Sequence, residues 1–143
     1  MQTLAKAKIF IVDDHALLRQ GLKRLINQEE DMIFAGEAVD AYGAIQGIAS
    51  IMPDLVLMDI SLQGTNGIDL TKHLLAKEPN LPVLVVSMHD ESIYADRALL
   101  AGAKGYLMKR ELADQVIVAI RRVLSGDIYL SARWKEKTLH QFT

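Results

Sequence analysis

Residues 53–60 read Pro-Asp-Leu-Val-Leu-Met-Asp-Ile. Four consecutive apolar residues, 55–58, stand between a Pro-Asp pair and a single carboxylate, Asp59. A run that is apolar at every position belongs to a strand covered on both faces. Such strands occur in parallel sheets flanked by helices. Working outward, three runs of the same kind appear at 9–12, 83–86 and 105–108, and a weaker fifth at 32–36. The segments between them carry the helical period. Leu18, Leu22, Leu25 and Ile26 recur over 15–28. Ile68, Leu70, Leu74 and Leu75 recur over 66–77, where Asn66 is a good N-cap. Residues 91–101 predict a helix closed by Gly102. Leu112, Val116, Ile120, Val123 and Leu124 predict another over 111–124, followed by Gly126. Segment 41–52 has the period at Ala44, Ile45, Ile48 and Ala49, but Gly43 and Gly47 weaken it and Pro53 ends it.

Strand and helix thus alternate five times. Right-handed crossovers then place helices on both faces of one parallel sheet. The predicted fold is an α/β, flavodoxin-like (βα)5 three-layer sandwich with a five-stranded parallel sheet in the order 2-1-3-4-5. A chain of 143 residues, half of them hydrophobic, is long enough for one domain with a real core. The absence of cysteine excludes a disulfide framework and any thiolate metal centre. A net charge of −2 argues against binding nucleic acid through a general basic surface. No apolar run approaches the about 20 residues of a membrane span. The N-terminal apolar run, 9–12, is too short for a secretion leader and stops at two aspartates. The expectation is a soluble cytoplasmic protein that does not enter a membrane. Residues 1–126 form the predicted domain. Segment 127–143 loses the rhythm and reads as a linker, or as the start of a further C-terminal domain. Its Trp134, beside Arg133, Lys135 and Lys137 but diluted by Glu136, has too few cations for a nucleic-acid patch.

In an open α/β sheet, chemistry collects beyond the carboxyl ends of the strands, where the strand order reverses. The first strand ends in Asp13 and Asp14, the third in Asp59, the fourth in Ser87 and the fifth in Lys109. Each alone has an ordinary structural explanation: a helix cap, a turn former or a solvated lysine. Five polar residues at four strand ends point instead to a site. Three clustered carboxylates repel one another and call for a proton or a cation. A hard divalent ion such as Mg2+ needs only one or two protein carboxylates. A carboxylate beside such an ion and an ammonium is a good phosphoryl acceptor, because both cations neutralise the oxygens of the transferring group. The Ser87 hydroxyl can donate to one of those oxygens.

These residues, within IFIVDDHALLRQGL, PDLVLMDI followed by NGIDL, and VLVVSMHDESIYADRALLAGAKGYLMK, resemble the receiver domain of a two-component response regulator over residues 7 to about 126. The resemblance implies that a sensor histidine kinase phosphorylates Asp59. Mg2+ would lie between Asp14, Asp59 and the backbone carbonyl of Ser61, with Asp13 acting through water. Lys109 would pair with the acceptor, and Ser87 would move to the phosphoryl group followed by Tyr106. Tyr106 also reads simply as a strand aromatic packed at the sheet edge. The DDH, SMHD, GAKGYLMK and GDIYLS stretches resemble the NarL/LuxR type. That type implies transcriptional output through a C-terminal helix-turn-helix domain. DNA would be contacted only through that domain, which lies outside this chain, and phosphorylation would favour a homodimer. The same resemblance also fits a stand-alone receiver acting through protein contacts. Two residues depart from the pattern. Gln63 stands where many members carry Pro, which leaves the loop 61–65 freer in φ. Arg110 follows Lys109 where other branches carry Pro. The cis peptide common before that position would cost a non-proline residue about 3 kcal/mol.

In receivers the positions of Ser61 and His89 tune how fast water attacks the aspartyl phosphate, so these two are candidates for setting its lifetime. His15 can orient Asp14 or contact the acceptor loop, or be a solvated first-turn residue. The helix at 111–124 is apolar on nearly every side at 116–120. Its surplus face, with the helix at 15–28, is a candidate dimer surface, as is the 91–124 face, unless the tail 127–143 covers the surplus. A phosphatase built on an aspartyl phosphate would place its nucleophile after strand 1 and a second Asp two residues later. The adjacent Asp13-Asp14 followed by His15 opposes that reading. A pseudo-receiver that only binds partners is opposed by retention of Asp13, Asp14, Asp59, Ser87 and Lys109.

Overall fold

The apolar runs become five parallel strands in a computed structural model that describes residues 5–62, 64–88 and 92–130. The chain order is β1 (Ala7–Val12), α1 (Ala16–Asn27), β2 (Met32–Ala38), α2 (Ala41–Ile51), β3 (Leu55–Asp59), α3 (Gly67–Lys77), β4 (Val83–Ser87), α4 (Ser92–Leu100), β5 (Gly105–Met108) and α5 (Leu112–Leu124). The sheet runs β2-β1-β3-β4-β5, the expected 2-1-3-4-5. β3 lies at its centre, with every residue buried. Alternate side chains serve two cores. Phe10, Val12, Val56, Met58, Val83, Val85 and Tyr106 face α2, α3 and α4. Ile9, Ile11, Leu55, Leu57, Leu84, Val86 and Leu107 face α1 and α5. This double coverage is why the strands read as continuous apolar runs rather than as alternating ones.

The uncertain segment 41–52 is a full helix. Asp40 caps it by accepting from the Gly43 amide at 2.8 Å, which offsets part of the glycine penalty. Gly47 has a packing reason: a β-carbon there would come within 2.8 Å of the Phe10 ring. The missing side chain lets α2 lie closely on β1, and the helix forms against its propensity because tertiary contact rewards it. The other helix signals hold. Asn66 accepts from the Ile68 amide at 2.7 Å, and Gly102 stands at φ +104°. Between β3 and α3 the chain makes a small antiparallel pair, Ser61–Leu62 with Thr65–Asn66, that periodicity could not show. A single 3-10 turn, Lys109–Glu111, joins β5 to α5, and all peptide bonds of the described residues are trans, that between Lys109 and Arg110 included.

Packing does not stop at residue 126. Gly126, at φ +100°, turns the chain back under the sheet. Tyr129 then bridges Gly105 in parallel. Its amide donates to the Lys104 carbonyl at 2.9 Å, and its carbonyl accepts from the Tyr106 amide at 3.0 Å. The Tyr129 side chain is 7% exposed and belongs to the α1/α5 core, while Leu130 packs on the opposite one. Segment 127–130 therefore clasps the outer edge of β5. Gln63, His89 and residues 131–143, including Trp134, lie outside the described residues.

Tyr129→Ala is expected to lower the free energy of unfolding by about 3 kcal/mol, the lower end for a buried aromatic because the ring sits at an edge. Tyr129→Phe, which removes only one 3.3 Å hydrogen bond to Gln115, should cost about 0.5 kcal/mol. Denaturant titration of the three proteins measures both.

Candidate functional site

Asp13 follows β1 directly and is buried. Its amide donates to the Ala38 carbonyl at 3.0 Å, and its own carbonyl accepts from Arg19 Nη1 at 2.8 Å. Both bonds fix the backbone from which the carboxylate projects. Asp59 is the last residue of β3, and only 1% of it is exposed. Two residues on, the Ser61 amide donates to Asp59 Oδ1 at 3.1 Å. Gly67 makes this turn possible. A β-carbon there would collide with the Asp59 carbonyl, and the Gly67 amide donates to Ile60 at 2.8 Å. The first turn of α3 can thus pack directly on the end of β3.

Lys109, the residue after β5, reaches across to both carboxylates. Its Nζ lies 3.2 Å from Asp59 Oδ2 and 3.2 Å from Asp13 Oδ2. The side chain is 13% exposed, so this is a partly buried charge network and not a solvated lysine. Ser87 ends β4 with no exposed surface, in register with Met108 of β5. Tyr106 is buried on β5, among the residues facing α2, α3 and α4. Asp13, Asp14, Asp59, Ser61, Ser87 and Lys109 thus all fall on the carboxyl rim of the sheet, as read from the sequence, and Tyr106 lies beneath it.

Burial holds the Asp59 carboxyl above the usual aspartate range, and the neighbouring Asp13 charge adds to this. The Ser61 amide and Lys109 act in the opposite direction without cancelling it. Three carboxylates face one ammonium, an excess of two negative charges. Asp14 Oδ1 is buried and accepts no hydrogen bond. Asp13, Asp14, His15 and Asp59 can each present one ligand atom, all within 4.8 Å of one another. Hard oxygen donors, the charge excess and an unsatisfied buried oxygen all fit a divalent cation of the Mg2+ kind.

Of two further contributors, Arg19 is not read from the sequence, and His15 reads as able to orient Asp14 or as a solvated residue. Arg19, six residues beyond Asp13, holds the Asp13 carbonyl, a contact that no local pattern announces. His15 is 56% exposed, yet it turns Nδ1 inward to 2.8 Å from Asp13 Oδ1. Its place next to the acidic pair was the available signal. A surface cavity of about 440 Å³ between the ends of α2 and α3, lined by Ile48, Met52, Leu74 and Leu81, contains none of the site residues.

Comparison with known proteins agrees with this geometry. The family profile described as the response regulator receiver domain matches residues 9–121. A two-component response regulator of the LuxR family from Aurantimonas sp. SI85-9A1 superposes with a TM-score of 0.89 at 32% identity, covering 96% of this chain and 99% of that one. The signal receiver domain of the NarL response regulator from Mycobacterium tuberculosis superposes at 0.80 with 29% identity, covering 86% of this chain and 99% of that one. The transcriptional regulatory protein DegU of Brevibacillus brevis is 34% identical over 137 residues, 96% of this chain and 58% of the relative. The chain spans about three-fifths of the length of the curated relatives it matches. With its rim of carboxylates and one lysine at the strand ends, the chain belongs to the response regulator receiver domain family, in the LuxR-type branch.

Proposed function

We propose that this chain is the phosphoryl-accepting switch of a response regulator, with Asp59 as acceptor. The observation that carries the reading is Lys109 Nζ placed 3.2 Å from carboxylate oxygens of both Asp59 and Asp13. A sensor histidine kinase is the donor. A carboxylate oxygen of Asp59 forms the new P–O bond as the P–N bond of the donor's phosphohistidine breaks, and the imidazole leaves with a proton. Lys109 balances negative charge on the acceptor and then on the phosphoryl oxygens. Asp14, Asp59 and the Ser61 carbonyl would hold Mg2+, with Asp13 acting through water. When bound, the ion draws charge off the transferring group. Ser87, on the neighbouring strand, donates its hydroxyl to a phosphoryl oxygen, and Tyr106 follows that movement. Ser61 and His89 set how long the phosphoryl group lasts. Beyond this self-directed transfer and its slow reversal by water, the chain needs no enzymatic activity.

Residues 1–126 act as the receiver unit, with 127–130 packed against its edge, and 127–143 lead toward an output domain. Phosphorylation promotes a homodimer, with α1 and α5 as contact faces. The output is transcription, exerted on DNA through a helix-turn-helix domain of a longer protein. The cytoplasm, where donor and target meet, is the expected compartment. Among the described residues no helix is long and apolar enough to cross a membrane.

Incubating the protein with Mg2+ and acetyl phosphate should give a single phosphoryl adduct by intact mass. Asp59→Asn should give none, and Lys109→Ala at least tenfold less. Multiple adducts, or an undiminished adduct on Asp59→Asn, would overturn the assignment. His89→Ala should change the rate of adduct loss several-fold, and an unchanged rate would remove His89 from the tuning role.

The raised Asp59 pKa has a thermodynamic sign. The unfolded chain ionises this group more readily than the folded one, so ionisation favours unfolding. The penalty is absent below the unfolded pKa of about 3.9 and fully present above the raised folded value. Asp59→Asn should therefore stabilise the metal-free protein at pH 7, on the order of 1 kcal/mol or 2–4 °C in melting temperature. That gain should fade as the pH falls toward 4. Melting curves of both proteins across this range provide the check.

A further inference from the structure

His15 occupies the N-cap position of α1, with φ −95° and ψ 104°, but its side chain makes no capping bond. Residues in this place normally turn a polar atom toward the free amides of the first turn. Here the ring turns the other way. The His15 amide donates to Asp13 Oδ1 at 2.8 Å, which anchors the residue beside the acidic cluster. Ring atom Nδ1 then lies 2.8 Å from Asp13 Oδ1 and 3.2 Å from Asp14 Oδ1.

A hydrogen bond to Asp13 Oδ1 accounts for this placement only in the tautomer that carries the proton on Nδ1. Lys109 Nζ lies 3.2 Å from the same Nδ1. An ammonium only donates, so it requires a lone pair on Nδ1. A carboxylate only accepts, so it requires a proton there. One nitrogen cannot offer both. Asp14 Oδ1, despite its 3.2 Å separation from Nδ1, is left without a hydrogen bond. In the tautomer with the proton on Nε2, both atoms are electron-pair donors aimed at one small region. Around an octahedral ion with bonds of about 2.1 Å, neighbouring ligand atoms stand about 3.0 Å apart. The 3.2 Å separation between Nδ1 and Asp14 Oδ1 matches such an edge. The side chain is 56% exposed, so the ring has room to adjust and remaining coordination positions can be filled by water.

We propose that His15 is a metal ligand of the acidic cluster, and that its nitrogen shifts the site's preference from Mg2+ toward divalent ions that accept imidazole, such as Co2+ and Ni2+. The inference rests on the reading of the cluster as a divalent-cation site, and it adds a nitrogen donor to an otherwise all-oxygen set. Mg2+ favours oxygen ligands and keeps its water, whereas the later first-row ions gain from imidazole. A single histidine therefore changes selectivity more than it changes the capacity to bind an ion.

The test uses the full chain, titrated calorimetrically with MgCl2 and with CoCl2, in wild type, His15→Ala and Asp59→Asn. His15→Ala should weaken Co2+ binding at least tenfold while changing Mg2+ binding less than threefold. In wild type carrying 15N-labelled histidine, substoichiometric Mn2+ should broaden the His15 ring signals before those of the other three histidines. Equal Co2+ affinity in wild type and His15→Ala, with Mg2+ binding intact, would overturn the proposal, as would His15 signals that broaden last. Failure of Asp59→Asn to weaken either ion would instead overturn the cation-site reading itself. Circular dichroism of His15→Ala, a change at an exposed side chain, verifies that the variant is folded.

Discussion

Everything at the rim is arranged around one ammonium shared by two buried carboxylates. Lys109 reaches Asp13 and Asp59 from a third strand end, and neither aspartate has another cationic side chain within salt-bridge distance among the described residues, apart from the His15 ring beside Asp13. Removing carboxylates from water is costly, and the cost is met only where partners are held in place. The sheet supplies that rigidity. β1 and β3 are adjacent, both cores close over them, and the ends of the strands present Asp13 and Asp59 side by side. The compensation is incomplete by design of the charges: three carboxylates meet one lysine, and Asp59 keeps a raised proton affinity. A site left short of positive charge binds cations well. It also leaves the buried Asp59 carboxylate poorly compensated.

The fold was legible because β3 and its neighbours are buried on both faces. That physical condition leaves its mark at every residue of a strand, so the runs and their order could be read directly. The rim residues were legible for a related reason: a polar residue directly after a buried apolar run has few places to go. What escaped notice depends on contacts between distant segments. Gly47 weakens α2 when only propensity is considered, and the ring of Phe10 that makes glycine necessary there lies 37 positions away. Arg19 shows its contact with the Asp13 carbonyl only once α1 is folded back over the rim. The inward turn of the His15 ring depends on a rotamer, which sequence spacing does not encode.

The similarity to receivers of LuxR-family response regulators and the geometry of the rim point to the same family. Around that frame stand a histidine beside the acidic pair, an arginine that fixes the first strand's exit, and a glycine that lets α3 rest on the end of β3. Each acts on the position or the charge of an aspartate without altering the fold.

The bridge between Tyr129 and Gly105 has a mechanical consequence. A strand at the margin of a sheet offers unpaired amides and carbonyls to any neighbouring chain. Here the first half of β5 is already paired from within, by segment 127–130. The pairing is parallel, so the chain at residue 130 heads toward the rim where Lys109 stands. The segment that follows α5 is thus hinged by two backbone hydrogen bonds to the strand that carries both Tyr106 and the approach to Lys109. Residues 127–130 are therefore tied to that strand directly, and any displacement of its first half is shared with them.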